Sequence, residues 1–243
     1  MATFRTRIAK ASERRGGLIL ANDYPTIRNL ESRTIRNIET LHPFLCGIKL
    51  NFHLLLPLGR KEIKNITSTA HRRGLQVIAD IKLNDINSTN LAATAYLWEM
   101  GLDAVIANPI MGPGALKSLV VSAHKKDRGV ITLCHMSAPE AKESYELETG
   151  GIYLYEMFLK WALESRVDGI IAGATYPQII RRCSERARGR LDIFSPGVGT
   201  QGGSAKEIIL AGTRYVIAGR SILESSSPAR EARHLQSLVR QPS

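Results

Sequence analysis

Short runs of apolar, mostly β-branched or small residues recur along the chain at Leu18 to Leu20, Leu45 to Leu50, Val77 to Ile81, Ala104 to Ala107, Val130 to Leu133, Gly169 to Ala172, Leu191 to Phe194 and Tyr215 to Ala218. Each is too short for a buried helix and is predicted as a buried strand. Between them apolar residues recur at helical spacing: Ile63, Ile66 and Ala70; Leu116, Leu119, Val120 and Ala123; Ile152, Tyr155, Leu159 and Ala162; Ile179, Ile180, Cys183 and Ala187. Strands that are apolar throughout, rather than alternating, are covered on both faces, as in a parallel sheet flanked by helices. Eight strand–helix units in 243 residues predict a single-domain α/β fold, a (β/α)8 TIM barrel rather than an open sheet. No linker rich in Pro, Gly or Ser divides the chain. The barrel is placed at 17–243, and residues 1–16 are read as a mobile basic N-terminal arm.

Composition narrows the class. A hydrophobic content of 44% fills one large core, and no apolar run approaches the roughly 20 residues of a membrane helix. Cys46, Cys134 and Cys183 are odd in number and far apart, which argues against a disulfide framework and suits a reducing compartment. The opening residues are Arg-rich but lack an apolar segment, so a cytoplasmic location is expected. The net charge of +11 is partly concentrated between Arg181 and Arg190. No aromatic residues interleave with those arginines, so they read as a solvated helix face and not as a nucleic-acid site.

A TIM barrel carries its chemistry on the loops after the C-terminal ends of its strands. The polar residues there are Asp23, Lys49, Asp80, Lys82, Asp85, Ser137, the loop Pro196 to Gly203, and Gly219-Arg220. On a strand Asp80 and Lys82 share a face, and Lys49 on the neighbouring strand extends them into an alternating network of Lys49, Asp80, Lys82 and Asp85. Inward charges are costly unless paired, and four of them converging at the catalytic end point to function. The glycines of Ser195 to Gly203 let backbone N–H groups approach an anion. Arg220 can add two parallel hydrogen bonds to phosphate oxygens, and Gln201 can close over a ligand. Nucleophilic catalysis by a Cys134-His135-Ser137 cluster is disfavoured, because Cys134 and His135 face opposite ways and no orienting carboxylate is evident. The six histidines show no short metal-ligand spacing, so no metal is expected.

The stretch Asp80-Ile81-Lys82-Leu83-Asn84-Asp85-Ile86, with Thr89-Asn90 following, resembles the DxKxxDI signature of orotidine 5'-monophosphate decarboxylases. Met136-Ser137, Ser195 to Gly203 and Gly219-Arg220-Ser221 are similar to the family's later motifs in the same order, and the resemblance runs from about Leu18 to Ile222. It departs at Ala107 to Gly112, where many members carry a His and a shorter loop, which leaves the placement of the fourth barrel helix open. The resemblance implies a cofactor-free decarboxylation of orotidine 5'-monophosphate to UMP. In it Lys82 is the general acid at C6, Asp80 lies against the substrate carboxylate, and Lys49 holds Asp80 and the ribose. Asp23 is then a ribose ligand, Ser137 a pyrimidine-edge ligand, and Gln201 and Arg220 the phosphate grip, with Pro196, Gly202 and Gly219 also on the substrate. It further implies a homodimer with shared active sites, Asp85 and Thr89 reaching into the partner's. Two alternatives stand beside it: a metal-dependent sister barrel acting on sugar phosphates, for which an additional inward carboxylate is expected, and a basic nucleic-acid-binding protein.

Overall fold

The runs of branched and small apolar residues become strands because only a pleated, fully covered environment buries their stiff side chains on both faces. A computed structural model describes residues 2–24, 26, 28–199 and 201–240. In chain order the strands are β1 (Leu18–Ala21), β2 (Gly47–Asn51), β3 (Gln76–Leu83), β4 (Ala104–Ala107), β5 (Gly129–His135), a hairpin of β6 (Glu148–Thr149) and β7 (Ile152–Tyr153), then β8 (Gly169–Ala172), β9 (Asp192–Pro196) and β10 (Tyr215–Ala218). All but the hairpin close into one parallel barrel in the order β1-β10-β9-β8-β5-β4-β3-β2. This is the expected single-domain TIM barrel.

The helices are α1 (Phe4–Arg15), α2 (Leu30–Leu41), α3 (Phe52–Leu55), α4 (Arg60–Arg72), α5 (Asn87–Glu99), α6 (Pro113–His124), α7 (Ala141–Tyr145), α8 (Leu154–Ser165), α9 (Pro177–Ala187), α10 (Ala205–Leu210), α11 (Arg220–Leu223) and α12 (Pro228–Val239). The long ones bury one stripe each, as Ile63, Ile66 and Ala70 do on α4 and Ile179, Ile180 and Cys183 on α9. After β4 a 3-10 turn at Pro109–Met111 precedes α6, so the atypical stretch Ala107 to Gly112 delays the fourth barrel helix without removing it.

Two expectations need correction. Residues 4–15 are not a mobile arm but a helix, capped by Thr3, which buries Phe4, Ile8 and Ala11. Phe4 lies against Gly129 at the start of β5, Arg5 pairs with Asp192 at 3.0 Å and Arg7 with Asp103 at 3.1 Å, so α1 closes the end of the barrel opposite the loops. Burying the Phe4 ring alone is worth roughly 2 kcal/mol, enough to hold a basic segment in place. Ile152, counted as a helical position, instead sits exposed in β7, with α8 beginning two residues later at Leu154. The Gly150-Gly151 pair, both at positive φ, turns the chain into the hairpin before the helix can start.

Candidate active site

β2 and β3 bring the central charges together. β3 remains fully buried from Gln76 to Asp80 and pairs regularly with β4 that far, then the register shifts before Leu83 and Lys82 takes φ +45°. The contact of Asp80 with Lys82 therefore arises at a bulge, not from the plain two-residue alternation expected of an unbroken strand. Asp80 Oδ2 accepts from Lys49 Nζ at 2.7 Å and Oδ1 from Lys82 Nζ at 3.0 Å. Asp80 and Lys49 are 8% and 5% exposed, whereas the Lys82 side chain is 46% exposed. Burial pushes the Asp80 carboxyl up, but the two ammonium groups outweigh it and hold it below the ordinary carboxylate range.

The three charges open onto a cavity of about 270 Å³ at the C-terminal ends of the strands. Its floor is apolar, from Ile106, Leu133, Ile171 and Ile217. Its walls include Asp23, Lys49, Asp80, Lys82, Ser137, Pro196, Gln201, Gly219 and Arg220, nine of the twelve residues singled out from the sequence. The loops after β9 and β10 face the charged wall across this space. Gly197 is required in that loop: its φ is +99° and a Cβ there would come 2.8 Å from Ser137 Cβ and 2.6 Å from Gln201 Oε1. Ser137 is placed from the other side, since Thr175 Oγ1 donates to its carbonyl at 2.9 Å and Gly173 N to His135 O at 3.0 Å.

The remaining three expected residues stand apart. Gly202 does not line the cavity; its N–H closes a turn onto Gly199 O at 2.8 Å, and its neighbour Thr200 lies outside the described residues. Asp85 and Thr89 are exposed. Asp85 Oδ1 accepts from Ile86 N at 2.7 Å, so within one chain it does not join Lys49, Asp80 and Lys82, and the four-membered network reduces to three. Asn51 takes the place next to them. It follows Lys49 by two residues on β2, its Oδ1 accepts from Lys49 Nζ, and its Nδ2 donates to Asp23 Oδ1. Strand period two puts Asn51 on the face of Lys49, a signal the sequence reading passed over because it followed charges.

His135 also differs from expectation. An orienting carboxylate is present: Glu146 Oε1 lies 3.2 Å from its Nε2, and Met136 O lies 2.8 Å from its Nδ1. The ring is enclosed by Tyr145, Tyr155 and Tyr176, and burial lowers its pKa. Cys134 faces the other way, its Sγ donating to Tyr155 O at 3.2 Å, so the pair forms no nucleophile–base couple.

A closed barrel with charged groups on one wall of a cavity and a glycine loop with an arginine on the other defines an enzyme of the TIM-barrel class. The chain matches the model of the orotidine 5'-phosphate decarboxylase / HUMPS family over residues 16–235. It is 33% identical over 210 residues to the orotidine 5'-phosphate decarboxylase of Pyrococcus abyssi, covering 86% of this chain and 94% of that one. With that of Methanosarcina acetivorans it shares 32% over 223 residues, 92% and 94% of the two chains. The crystal structure of the Methanocaldococcus jannaschii enzyme complexed with the inhibitor BMP superposes with a TM-score of 0.80 at 27% identity, over 93% of this chain and 100% of that one. The chain belongs to the orotidine 5'-phosphate decarboxylase / HUMPS family and is an enzyme, a carboxy-lyase.

Proposed function

We propose that the chain decarboxylates orotidine 5'-monophosphate to UMP and carbon dioxide in de novo pyrimidine synthesis, without a cofactor and with Lys82 as the proton donor to C6. The observation that carries this reading is the Lys49–Asp80–Lys82 chain, its first two members buried, facing the Arg220 loop across one cavity. In the reaction the bond from C6 to the carboxylate breaks, carbon dioxide leaves, and the electron pair stays on C6. Lys82 Nζ delivers a proton there, and the resulting amine is reprotonated from solvent. An ammonium already aimed at the developing charge, in a site that excludes water, contributes several kcal/mol.

Asp80 serves two ends: it lies against the substrate carboxylate and it anchors both ammonium groups. Lys49 and Asp23 hold the ribose, and Ser137 the pyrimidine edge. Gln201 and Arg220, with Pro196, Gly202 and Gly219 around them, grip the phosphate, whose binding energy closes the loop over the reacting end. Asp85 and Thr89 act across a two-fold interface in the partner's site. The exposed apolar side chains Phe52, Leu56, Ile86, Tyr96 and Ile110 support this, since they follow the three neighbouring strands β2, β3 and β4 and give a homodimer a surface to bury. The protein works in the cytoplasm; among the described residues no helix is long and apolar enough to cross a membrane.

The donor set suits ammonium chemistry better than the metal-dependent sister reaction. Asp80 is shared between two lysines, Asp23 is held by an amide, and the pocket residue ending β2 is Asn51 and not a carboxylate. Purified protein is expected to consume orotidylate in an ultraviolet assay and to keep its rate after exhaustive EDTA treatment. Loss of turnover on chelation with recovery on Mg2+ would assign the sister reaction instead.

A further inference from the structure

Asn51 is a polar pocket residue outside the motifs quoted above, and it joins two groups that the sequence keeps 26 residues apart, Asp23 and Lys49. Its orientation is set by charge. With Oδ1 toward the Lys49 ammonium and Nδ2 toward the Asp23 carboxylate both contacts are hydrogen bonds, while the flipped amide would set donor against donor and acceptor against acceptor. Cα of Asn51 is in register with Asp80 on β3, so a single polar chain runs Asp23–Asn51–Lys49–Asp80–Lys82 across the cavity.

This chain decides which atoms remain for a ligand. Lys49 has three N–H donors; Asp80 Oδ2 takes one and Asn51 Oδ1 another, which leaves one. Asp23 Oδ1 is taken by Asn51, which leaves Oδ2, the oxygen beside Gly219, where a Cβ would come to 3.1 Å. One free donor and one free acceptor, both held by the same amide, suit a sugar hydroxyl, which accepts from the first and donates to the second.

We propose that Asn51 is a positioning residue for the sugar end of the substrate: it bridges Asp23 and Lys49 and fixes the donor and acceptor that a ribose hydroxyl meets. The inference rests on the nucleotide reading of the site. It gives Asn51 no part in proton transfer, so its loss acts on binding far more than on the chemical step.

The test is a double-mutant cycle of Asp23→Asn and Asn51→Ala, read by steady-state kinetics with orotidylate and by calorimetric binding of UMP and of inorganic phosphate. A hydrogen bond to a charged group corresponds to a factor of about ten or more. Asn51→Ala is therefore expected to raise KM and the Kd for UMP about tenfold, with kcat changed less than about threefold and phosphate binding unchanged. The double variant is expected to bind UMP no worse than Asp23→Asn alone, because the bridge has already lost one end. Multiplicative losses in the cycle, or unchanged UMP affinity in Asn51→Ala, would overturn the proposal. If wild type binds UMP with this pattern yet leaves orotidylate intact, the decarboxylase reading fails while the role of Asn51 stands. A wild type that binds no UMP sinks both.

Discussion

Lys82 reaches Asp80 Oδ1 at 3.0 Å from a backbone at φ +45°, a left-handed conformation that non-glycine residues seldom adopt. The bulge turns the lysine out of the barrel wall and into the cavity, so its backbone and its ammonium make separable contributions. Asn tolerates this conformation and Val does not. Lys82→Asn is therefore expected to melt near the wild-type temperature while losing turnover by roughly 10²–10⁴ or more. Lys82→Val should lose stability as well. Circular dichroism melts beside the orotidylate assay separate the two, and a fully active Lys82→Asn would end the proton-donor assignment.

Arg220 opens α11 on the far rim of the cavity, and among the described residues its guanidinium has no hydrogen-bond partner. An arginine fork matches a phosphate dianion by two parallel hydrogen bonds. Arg220→Ala should reduce kcat/KM for the nucleotide by about 100-fold, in the range of a charge-assisted pair, and leave orotidine without its phosphate nearly unaffected. Equal losses on both substrates would remove Arg220 from the phosphate grip.

His124 closes α6 and places Nε2 3.0 Å from Asp168 Oδ2, which also accepts from Val130 N at 2.9 Å. The hydrogen bond to Asp168 raises the histidine's pKa against the opposing effect of burial. A raised folded-state pKa stabilises the protonated form, so the contribution is complete below the unfolded value of about 6.5 and disappears as pH rises through the higher folded value. His124→Gln should therefore lower the melting temperature at pH 5.5 and approach wild type by pH 9. A difference that grows toward alkaline pH would contradict this pairing.

Asp85 Oδ1 accepts from Ile86 N, and Asp85 does not line the cavity of its own chain. If it serves the partner, Asp23→Ala and Asp85→Ala lesions fall in one site of a mixed dimer and leave the other intact. Mixing the two inactive variants should restore up to about a quarter of wild-type activity after random exchange of subunits. Hybrids shown by tagged co-purification to form, and still inactive, would confine Asp85 to its own subunit.

The alternation of apolar strand and amphipathic helix was legible because each is a local rule, repeated eight times, and the apolar runs are buried where the pattern demanded it, apart from Ile152 and the partly buried Ile81. Nine of the twelve expected site residues line the cavity for a related reason: in this fold a polar residue at the C-terminal end of a strand has one place to go. Residues 4–15 were misjudged because basic residues dominate their composition, while three buried side chains and two aspartates, Asp103 just before β4 and Asp192 at the start of β9, hold them.

The order of residues along the chain determined the barrel, the end of it that carries chemistry, and the residue types gathered there, since these follow from periodicities within a few residues. The bulge that turns Lys82 onto Asp80, the carboxylate that meets His135 and the amide that joins Asp23 to Lys49 were decided by closure of the barrel. Each depends on which side chains arrive from different strands and loops at one point in space. Hydrogen bonding and charge pairing act there over a few ångströms, a distance that spacing along the chain does not encode.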